Sequence, residues 1–248
     1  MSAETYLIVN ADDFGQSPGI NRGIIEAYEQ GIVTTASLMT RWPAAAEAAT
    51  YAKEHPRLSV GLHLDLGEWV CRAGTWVQLY SVISLDDKLA VEGEISRQLD
   101  GFYHLMGKYP SHINSHQNIH MREPARSVAL EICEKLGIPL RNLSPQIHYY
   151  TKFYGQTGEG LPIPTYISLE RMIEILSTLP GGLTVLTCHP GYADDLKTMY
   201  KTERRDELKV LCDPRVLATI DALGIKLCSF NDWNDLKNLL PCQSADSV

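Results

Sequence analysis

The feature that most constrains the fold is an alternation along the 248 residues, in which short apolar runs are followed by longer segments with helical spacing. This alternation is typical of a parallel sheet, because parallel strands need long crossover connections between them. The near-continuous apolar character of the runs predicts strands that are covered on both sides. Seven strands are predicted, at residues 5–10, 34–39, 58–64, 112–115, 139–142, 183–188 and 226–230. The expected fold class is therefore α/β, as a barrel of about seven parallel strands.

The crossover helices have recognisable starts and ends. Ser17 followed by Pro18 is a favourable N-cap and first-turn pair, and apolar residues then recur at helical spacing up to Gly31. Further helices are predicted near residues 44–54, 84–106, 123–136, 169–179 and 204–223, the last interrupted around Pro214. Two stretches, 67–81 and 143–166, are predicted to be irregular and to form a lid or a substrate wall. A single domain over residues 1–248 is expected at this length.

The charge balance predicts that nucleic acid is not a partner. The chain has 22 Lys and Arg against 30 Asp and Glu, a formal net charge of -8, so it lacks the surplus cations that displace phosphate counterions. A small neutral or cationic substrate is expected instead. The apolar run at residues 6–9 is too short for a signal peptide or a membrane span, so we expect a cytoplasmic protein without a membrane partner.

The cysteines are scattered singly, without CxxC spacing. This distribution is typical of buried or incidental thiols in a reducing compartment, and it predicts neither a disulfide framework nor a structural zinc site. The six are Cys71, Cys133, Cys188, Cys212, Cys228 and Cys242.

Polar residues follow several of the predicted strands at the point where each strand ends. The first strand is followed by Asp12 and Asp13, and the third places His63 near its end. Carboxyl ends of parallel barrel strands converge on one face, so these side chains are expected to meet there. One carboxylate of such a pair can bind a cation while the other takes a proton from water. A turn or helix cap is the alternative for the Asp pair, and a hydrogen-bonded core histidine is the alternative for His63.

The fourth strand carries a cluster of histidines that favours a metal site. His112, Asn114 and His116 share one face at period 2, and His120 follows shortly after. An Asp with two imidazoles is a common ligand set for zinc or another divalent ion, and it leaves positions open for water and substrate. His120 is then the spare residue, expected to contact substrate or to lie behind the ligands.

The sixth strand ends at His189, in the sequence His-Pro-Gly. A histidine at such a junction is well placed to act as a general acid near neutral pH, although an ordinary turn is the alternative. The neighbouring Cys188 points the other way in the strand and is expected to be an inert buried thiol. Arg141 lies near the end of the predicted strand at 139–142, where it would orient a carboxylate, grip a sugar phosphate or lie at the surface.

Taken together, five ordered motifs resemble one family, the YdjC-like carbohydrate deacetylases, which include the chitooligosaccharide deacetylases. The resemblance covers nearly the whole chain. The motifs are NADDFG at 10–15, SPGIN at 17–21, GLHLDL at 61–66, SHQNIHM at 115–121 and CHPGY at 188–192.

The resemblance implies a distorted (β/α) barrel related to the polysaccharide deacetylases, with a divalent ion, magnesium or zinc, held by Asp13, His63 and His116. It also implies Asp12 as the catalytic base and His189 as the acid. The implied reaction removes N-acetyl groups from N-acetylglucosamine units of short chitin-type sugars, sometimes phosphorylated ones. Family members are often dimers, so a homodimer is a further expectation.

The residues predicted to contact the sugar are Arg141, His120 and Asn114. Asn114 and the pair at 117–118 stand where some relatives carry Asp and further histidines, so the substrate contacts are expected to differ from theirs. Aromatic residues in the two irregular stretches could stack on sugar rings, although aromatic residues also build ordinary cores. They are Trp69, Trp76, Tyr80, Tyr149, Tyr150 and Tyr154.

Two other functions are compatible with a His and Asp site on a barrel. The first is another metal hydrolase, such as a phosphoesterase or an amidohydrolase, since the fold alone does not separate these reactions. The second is a metal-containing sugar-binding protein without catalysis. Asp12 and His189 together favour an enzyme over a binder, because replacing either would cost an enzyme its turnover and a binder nothing.

Overall fold

A parallel sheet dominates the computed structural model, which describes residues 4–238. Its strands follow the order β6-β3-β2-β1-β8-β7, and the short β9 pairs with the start of β1. Every pairing within this sheet is parallel, as predicted. The strands are β1 (Thr5–Phe14), β2 (Thr35–Leu38), β3 (Ser59–Leu64), β4 (Gly67–Arg72), β5 (Thr75–Ser81), β6 (Ile113–Ser115), β7 (Ile147–Tyr150), β8 (Gly182–Cys188) and β9 (Lys226–Leu227).

Helices connect these strands and cover the sheet. The first begins as predicted, because the Ser17 side chain accepts a hydrogen bond from the backbone N–H of Ile20 and Pro18 occupies the first turn. The predicted helix at 204–223 is two helices, separated before Pro214. The helices are α1 (Pro18–Glu29), α2 (Ala45–Glu54), α3 (Lys88–Met106), α4 (Ala125–Leu136), α5 (Leu169–Ser177), α6 (Thr202–Leu211), α7 (Pro214–Leu223) and α8 (Trp233–Leu236).

The core lies between the sheet and these helices. All seven residues of β8 and all six of β3 are buried, which explains their largely apolar sequences. Phe14, Phe102 and Phe153 are fully buried around them. Burial of each such side chain contributes roughly 1.5–3 kcal/mol, so the strand ends that carry the polar residues rest on a tightly packed base.

The predicted strand at 139–142 is wrong, and so is the prediction that all of 143–166 is irregular. Residues 139–142 form only an isolated bridge, between Leu140 and Ile113, because Pro139 lacks an N–H and Asn142 has a left-handed φ of 62°. The strand beside β8 is β7 instead, within a stretch predicted to be irregular. β6 and β7 are the two edge strands of the sheet. Among the described residues they do not pair with each other, so the barrel is not closed by hydrogen bonds.

The stretch 67–81, also predicted to be irregular, is an antiparallel hairpin of β4 and β5. Its turn residues Ala73 and Gly74 both have positive φ, at 50° and 77°, which is the backbone of a type I′ turn. This hairpin stands outside the parallel sheet, directly after β3.

None of the helices between residues 4 and 238 combines the length and apolar character that a membrane crossing requires. Within the same residues the cysteines are free thiols, and Cys188 is fully buried, as predicted. Cys242 lies outside the described residues. The expected single domain over residues 1–248 stays a prediction.

Candidate active site

The carboxyl ends of the central strands open into a cavity of about 310 Å³. Its lining includes all five residues that the sequence assigned to metal binding and catalysis. They are Asp12, Asp13, His63, His116 and His189.

Two adjacent aspartates reach the same cavity because β1 is irregular at its end. Side chains alternate in a regular strand, so neighbours normally face opposite sides. Here the register between β1 and β2 shifts between Ala11 and Phe14, and Asp13 has a left-handed φ of 69°. This local distortion turns Asp12 and Asp13 into the pocket together.

Asp12 is buried and surrounded by donors. Its Oδ1 accepts hydrogen bonds from Arg141 Nη2 at 2.7 Å, from Asn10 Nδ2 at 2.8 Å and from Asn114 Nδ2 at 3.0 Å. Its Oδ2 accepts from Arg141 Nη1 at 2.5 Å and lies 3.8 Å from His189 Nε2. Burial alone would raise the pKa of Asp12, but the Arg141 guanidinium outweighs it and holds the pKa well below the ordinary value. The carboxylate is therefore anionic and fixed in orientation.

Asp13 joins the two predicted histidine ligands. Its Oδ1 lies 3.2 Å from His63 Nε2 and 3.1 Å from His116 Nδ1, while its Oδ2 accepts a hydrogen bond from Arg204 Nη2 at 2.6 Å. Burial would raise the pKa of Asp13, but Arg204 and His116 hold it well below the ordinary value. Arg204 thus occupies one oxygen and leaves the other facing the two imidazoles.

The three side chains fit a divalent cation. One ligand atom from each of Asp13, His63 and His116 lies within 4.8 Å of the others. The Nε2 atoms of both histidines are buried and without a hydrogen-bonding partner among the described residues, which is a costly arrangement unless something binds there. The Nδ1 of His63 pairs at 2.7 Å with Asn114 Oδ1, an acceptor that fixes the proton on Nδ1 and frees Nε2 as a ligand.

His189 is held on the opposite side of Asp12, at the end of β8. The backbone N–H of His189 donates to Glu207 Oε2, and Glu207 Oε1 lies 3.7 Å from the ring Nδ1. Tyr154 and Tyr200 stack on each other with ring centroids 4.4 Å apart, and both meet the His189 ring edge-on. The ring is 19% exposed, so it is held in place yet open to the cavity.

Helix α6 supplies two positioning residues that the sequence analysis missed, Arg204 and Glu207. Arg204 binds Asp13 and also donates to the backbone oxygen of His189, while Glu207 accepts from the Tyr200 hydroxyl as well as from His189. One feature of the sequence could have indicated them. Arg204 and Glu207 stand at helical spacing from Leu208 and Leu211, so they lie on the buried face of the helix, where charged side chains need partners.

Glu68, on the hairpin strand β4, is a third missed residue. It lines the cavity, is only 6% exposed, and its Oε2 lies 3.9 Å from His116 Nε2. Burial raises the pKa of Glu68. Local sequence does not indicate Glu68 as a site residue, because it lies in the stretch 67–81 that is predicted to be irregular and not at the end of a predicted strand.

The residues predicted to contact substrate fall into two groups. Arg141 lines the cavity, with its guanidinium paired to Asp12, which matches the expectation that it could orient a carboxylate. Asn114 is fully buried between His63, Asp12 and Ser37. It therefore supports those groups from behind and does not reach the cavity.

His120 is likewise behind the site. Its Nδ1 pairs with Ser115 Oγ at 2.6 Å and its Nε2 with the Arg141 backbone oxygen at 3.0 Å, so neither nitrogen is left for a sugar. Burial lowers the pKa of His120 to about 4, and the ring is neutral. His112 lies deeper still, against Ser37 Oγ at 2.9 Å, on the same side as Asn114. His120 therefore takes the second of its two expected places, behind the ligands, and neither it nor Asn114 lines the cavity. Contact of these residues with a sugar stays a prediction.

Comparison with known proteins gives the same family over most of the chain. The family described as YdjC-like protein matches residues 6–222. A carbohydrate deacetylase of Geobacillus stearothermophilus is 32% identical over 252 residues, covering 93% of this chain and 99% of that protein. A chitooligosaccharide deacetylase of Serratia marcescens is 31% identical, covering 92% of this chain and 99% of the relative.

Solved structures share the fold. A crystal structure from Enterococcus faecalis V583, provisionally described as a cellobiose-phosphate cleavage protein, matches with a TM-score of 0.76 at 26% identity and covers 93% of this chain and 99% of that chain. A family 4 carbohydrate esterase from Streptomyces lividans, in complex with acetate, matches with a TM-score of 0.54 at 16% identity and covers 92% and 93%. The second likeness concerns the fold alone, and it confirms the predicted barrel.

Proposed function

The chain belongs to the YdjC-like protein family, and from that premise we propose that it is a metal-dependent carbohydrate deacetylase acting on short N-acetylated, chitin-type sugars. Its class is that of a hydrolase that cleaves the amide bond of an acetylated amino sugar. The dependence on a metal ion and the identity of the sugar are the parts that require experiment.

One observation carries the proposal. Three side chains that could bind a cation and a separate pair of side chains that could act as base and acid line the same cavity. Asp13, His63 and His116 lie together on one side. Asp12 Oδ2 and His189 Nε2 lie 3.8 Å apart beside them. A sugar-binding protein without catalysis has no need of this second pair. The relatives named above are deacetylases and not phosphoesterases, so they favour the deacetylase over that alternative.

Asp13, His63 and His116 would hold the metal ion. When bound, a divalent ion polarises the acetamide carbonyl and lowers the pKa of water. Two imidazoles in the set favour zinc or another transition ion over magnesium. Arg204 keeps Asp13 in one orientation, with a single oxygen directed at the histidines.

Asp12 is the proposed base, and its two oxygens are not equivalent. Oδ1 already accepts three hydrogen bonds, from Arg141, Asn10 and Asn114, whereas Oδ2 accepts one, from Arg141. Oδ2 is therefore the atom able to accept the proton of the attacking water. The bonds to Oδ1 hold the carboxylate still while that transfer occurs.

His189 is the proposed acid. As the C–N bond of the acetamide breaks, Nε2 donates its proton to the departing sugar amine, while the water oxygen becomes part of the acetate. Glu207 and the stacked Tyr154 and Tyr200 keep the ring in place for that transfer. Acid and base thus face the same cavity, 3.8 Å apart, where the acetamide would bind.

The proposed substrate is a short oligosaccharide with N-acetylglucosamine units. A cavity of about 310 Å³ is at the lower end of the roughly 300–1,000 Å³ typical of small-molecule sites. The expectations of a cytoplasmic location, of no nucleic-acid or membrane partner and of a homodimer stay predictions.

The deciding experiment measures acetate released from N,N'-diacetylchitobiose by protein treated with a chelator and then resupplied with Mg²⁺ or Zn²⁺. We expect little release from the chelated protein and recovery with one of the ions. Phosphate or another product from other substrates, with no acetate from any N-acetyl sugar, would favour a different metal hydrolase. Sugar binding without any product would favour the non-catalytic alternative.

A further inference from the structure

The hairpin strand β4 carries one carboxylate, Glu68, that the proposed chemistry does not use. It lines the catalytic cavity and is only 6% exposed, yet its side chain makes no hydrogen bond within residues 4–238. Its ion-pair partner among these residues is His116, whose Nε2 lies 3.9 Å from Glu68 Oε2. Buried carboxylates are normally hydrogen-bonded, so an open one at the edge of a site indicates a group that binds a ligand.

The hairpin is built to turn Glu68 into the cavity. Glu68 pairs with Tyr80 and the next residue of β4 pairs with Gln78, so Leu79 is the extra residue of a β-bulge. Bulges redirect the side chains beside them. Gly67 has a φ of 147°, and a Cβ there would meet the Tyr80 backbone oxygen at 3.0 Å, so this position requires glycine. The backbone therefore sets the direction of Glu68.

Other polar side chains of the cavity are already engaged. The amide of Gln117 bonds twice to the hairpin backbone, and the hydroxyl of Tyr200 donates to a carboxylate of α6. Asp12 and Asp13 are assigned to proton transfer and to the cation. Among the described residues, Glu68 is therefore the cavity carboxylate left to accept hydrogen bonds from the hydroxyls of a sugar.

The arginines of the cavity are not free to bind an anion. Both terminal nitrogens of Arg141 bind Asp12, at 2.5 Å and 2.7 Å. Arg204 binds Asp13 at 2.6 Å and donates to two backbone oxygens. No lysine of residues 4–238 lines this cavity. A phosphate on the bound ring would therefore meet Glu68 without a free Lys or Arg to offset the repulsion.

The cavity is small enough for the charge of Glu68 to act on a whole sugar ring. A compact cavity of about 310 Å³ is smaller across than the distance of about 10 Å over which charges interact at ordinary ionic strength. An anionic substituent anywhere on a ring in this cavity is therefore within range of Glu68.

From this geometry we propose that Glu68 determines which sugars the catalytic cavity takes, by accepting hydrogen bonds from hydroxyls of the acetylated ring and by repelling a ring that carries an anionic group. The inference rests on the proposed function, since it takes the ring in the cavity to be the acetylated sugar. It makes the substrate uncharged at that ring, although the family resemblance also allows phosphorylated sugars.

Acetate release from N-acetylglucosamine and from N-acetylglucosamine 6-phosphate tests this proposal, because the acetamide and the phosphate then share one ring. In protein saturated with Zn²⁺, kcat/KM should favour the neutral sugar at least about tenfold. Glu68→Gln keeps the shape of the side chain and removes its charge. It should lower kcat/KM roughly 2- to 5-fold for the neutral sugar and raise it for the phosphate, so that the preference falls to about threefold or less.

The opposite directions separate specificity from folding, because a merely structural loss lowers both values. The ion is the same in both proteins, so the change in preference reports Glu68. Glu159→Gln is the matched control: it removes the same charge from an exposed residue that does not line the cavity, and it should leave the preference within about twofold of wild type.

The proposal is overturned if the wild-type protein takes both sugars equally or prefers the phosphate. An unchanged preference in Glu68→Gln, an equal fall for both sugars, or an equal shift in Glu159→Gln would overturn it as well.

Failure of the proposed function looks different, because N,N'-diacetylchitobiose would then release no acetate. If neither single-ring sugar is turned over, calorimetry measures their Kd values without interference from hydrolysis. The same preference, and the same shift in Glu68→Gln, are then expected in the Kd values. Absence of that shift, or of any binding of N-acetylglucosamine, counts against the role of Glu68 even if the disaccharide is deacetylated.

Discussion

At the carboxyl ends of β1, β3 and β6 the side chains facing the cavity are buried and tied to fixed partners, whereas the hairpin β4–β5 presents Trp76 almost half exposed to solvent. We call the first region the floor, made of Asp12, Asp13, His63 and His116. The second, the wall, is the hairpin with Glu68, Trp69 and Trp76. The two regions face the same space but are built differently.

This difference indicates that the floor determines catalysis and metal binding, whereas the wall determines which sugar binds. Charges in the floor are compensated by Arg141 and Arg204, so their positions are fixed before a substrate arrives. The wall offers apolar area and few fixed charges, so its contribution depends on the sugar that binds. Floor variants should therefore change kcat or metal affinity, and wall variants should change KM.

The largest effect is expected for Asp12→Asn, in the floor. The amide has almost the same shape but accepts no proton, so kcat should fall about 10²- to 10⁴-fold, the usual contribution of a general base. Metal affinity should stay within a few-fold, because Asp12 is not among the three proposed ligands. Acetate release and calorimetric titration with Zn²⁺ measure the two quantities.

Circular dichroism serves as the folding control, since Arg141 loses its charged partner in this variant. If a folded, metal-loaded Asp12→Asn protein keeps full turnover, the base is another group. In that case the division between a chemical floor and a selective wall fails at its strongest point.

A smaller effect is expected for Asn114→Ala, behind the floor. Removing the amide leaves His63 Nδ1 without its acceptor at 2.7 Å and so frees the ring to turn. Losing such a partner of a metal ligand typically costs about 10- to 100-fold in affinity. Titration with Zn²⁺ should show that loss directly.

Ser37→Ala is the matched control for Asn114→Ala. It removes the hydroxyl that binds Asn114, Asn10 and His112 but leaves the bond from Asn114 to His63 in place, so it reports the buried hydrogen-bond network without the loss of the His63 acceptor. Equal losses of metal affinity in the two variants would mean that Asn114 acts through this network and not through His63.

The sequence predicted the floor well because its residues stand at the ends of apolar strands. Parallel topology brings those ends to one face, so Asp12, His63 and His116 could be grouped from the sequence alone. Asp13 could be assigned to the same face because it directly follows Asp12. The left-handed φ that turns its side chain into the cavity is not predictable from the sequence.

The sequence did not predict the wall or the support from α6. The turn at Ala73 and Gly74 lacks the Asn-Gly or Asp-Gly pair that marks a type I′ hairpin, so the strands around it were interpreted as an irregular loop. Arg204 and Glu207 lie far along the chain from Asp13, and only the packing of α6 brings them to the site. Long-range packing of this kind is not encoded in local periodicity.

The smallest effect is expected where the two regions join, at Gln117→Ala. Gln117 directly follows His116 of the floor, and its side chain makes two hydrogen bonds to Trp69 of the wall. Each bond contributes about 0.5–1.5 kcal/mol, so the hairpin should be held less firmly without unfolding the barrel. The KM for N,N'-diacetylchitobiose should rise about 3- to 10-fold, with kcat changed less than about twofold.

Hydrogen exchange of the hairpin amides provides a second measurement, because a released wall exchanges faster while the amides of β1 and β3 do not. Asn118→Ala is the matched control: Asn118 shares the left-handed backbone of Gln117, with φ of 54° and 51°, but makes no side-chain bond to the hairpin. Faster exchange in both variants would trace the effect to backbone strain in the loop. A fall in kcat for Gln117→Ala alone would show that the wall also holds His116, and the two regions would then have to be treated as one.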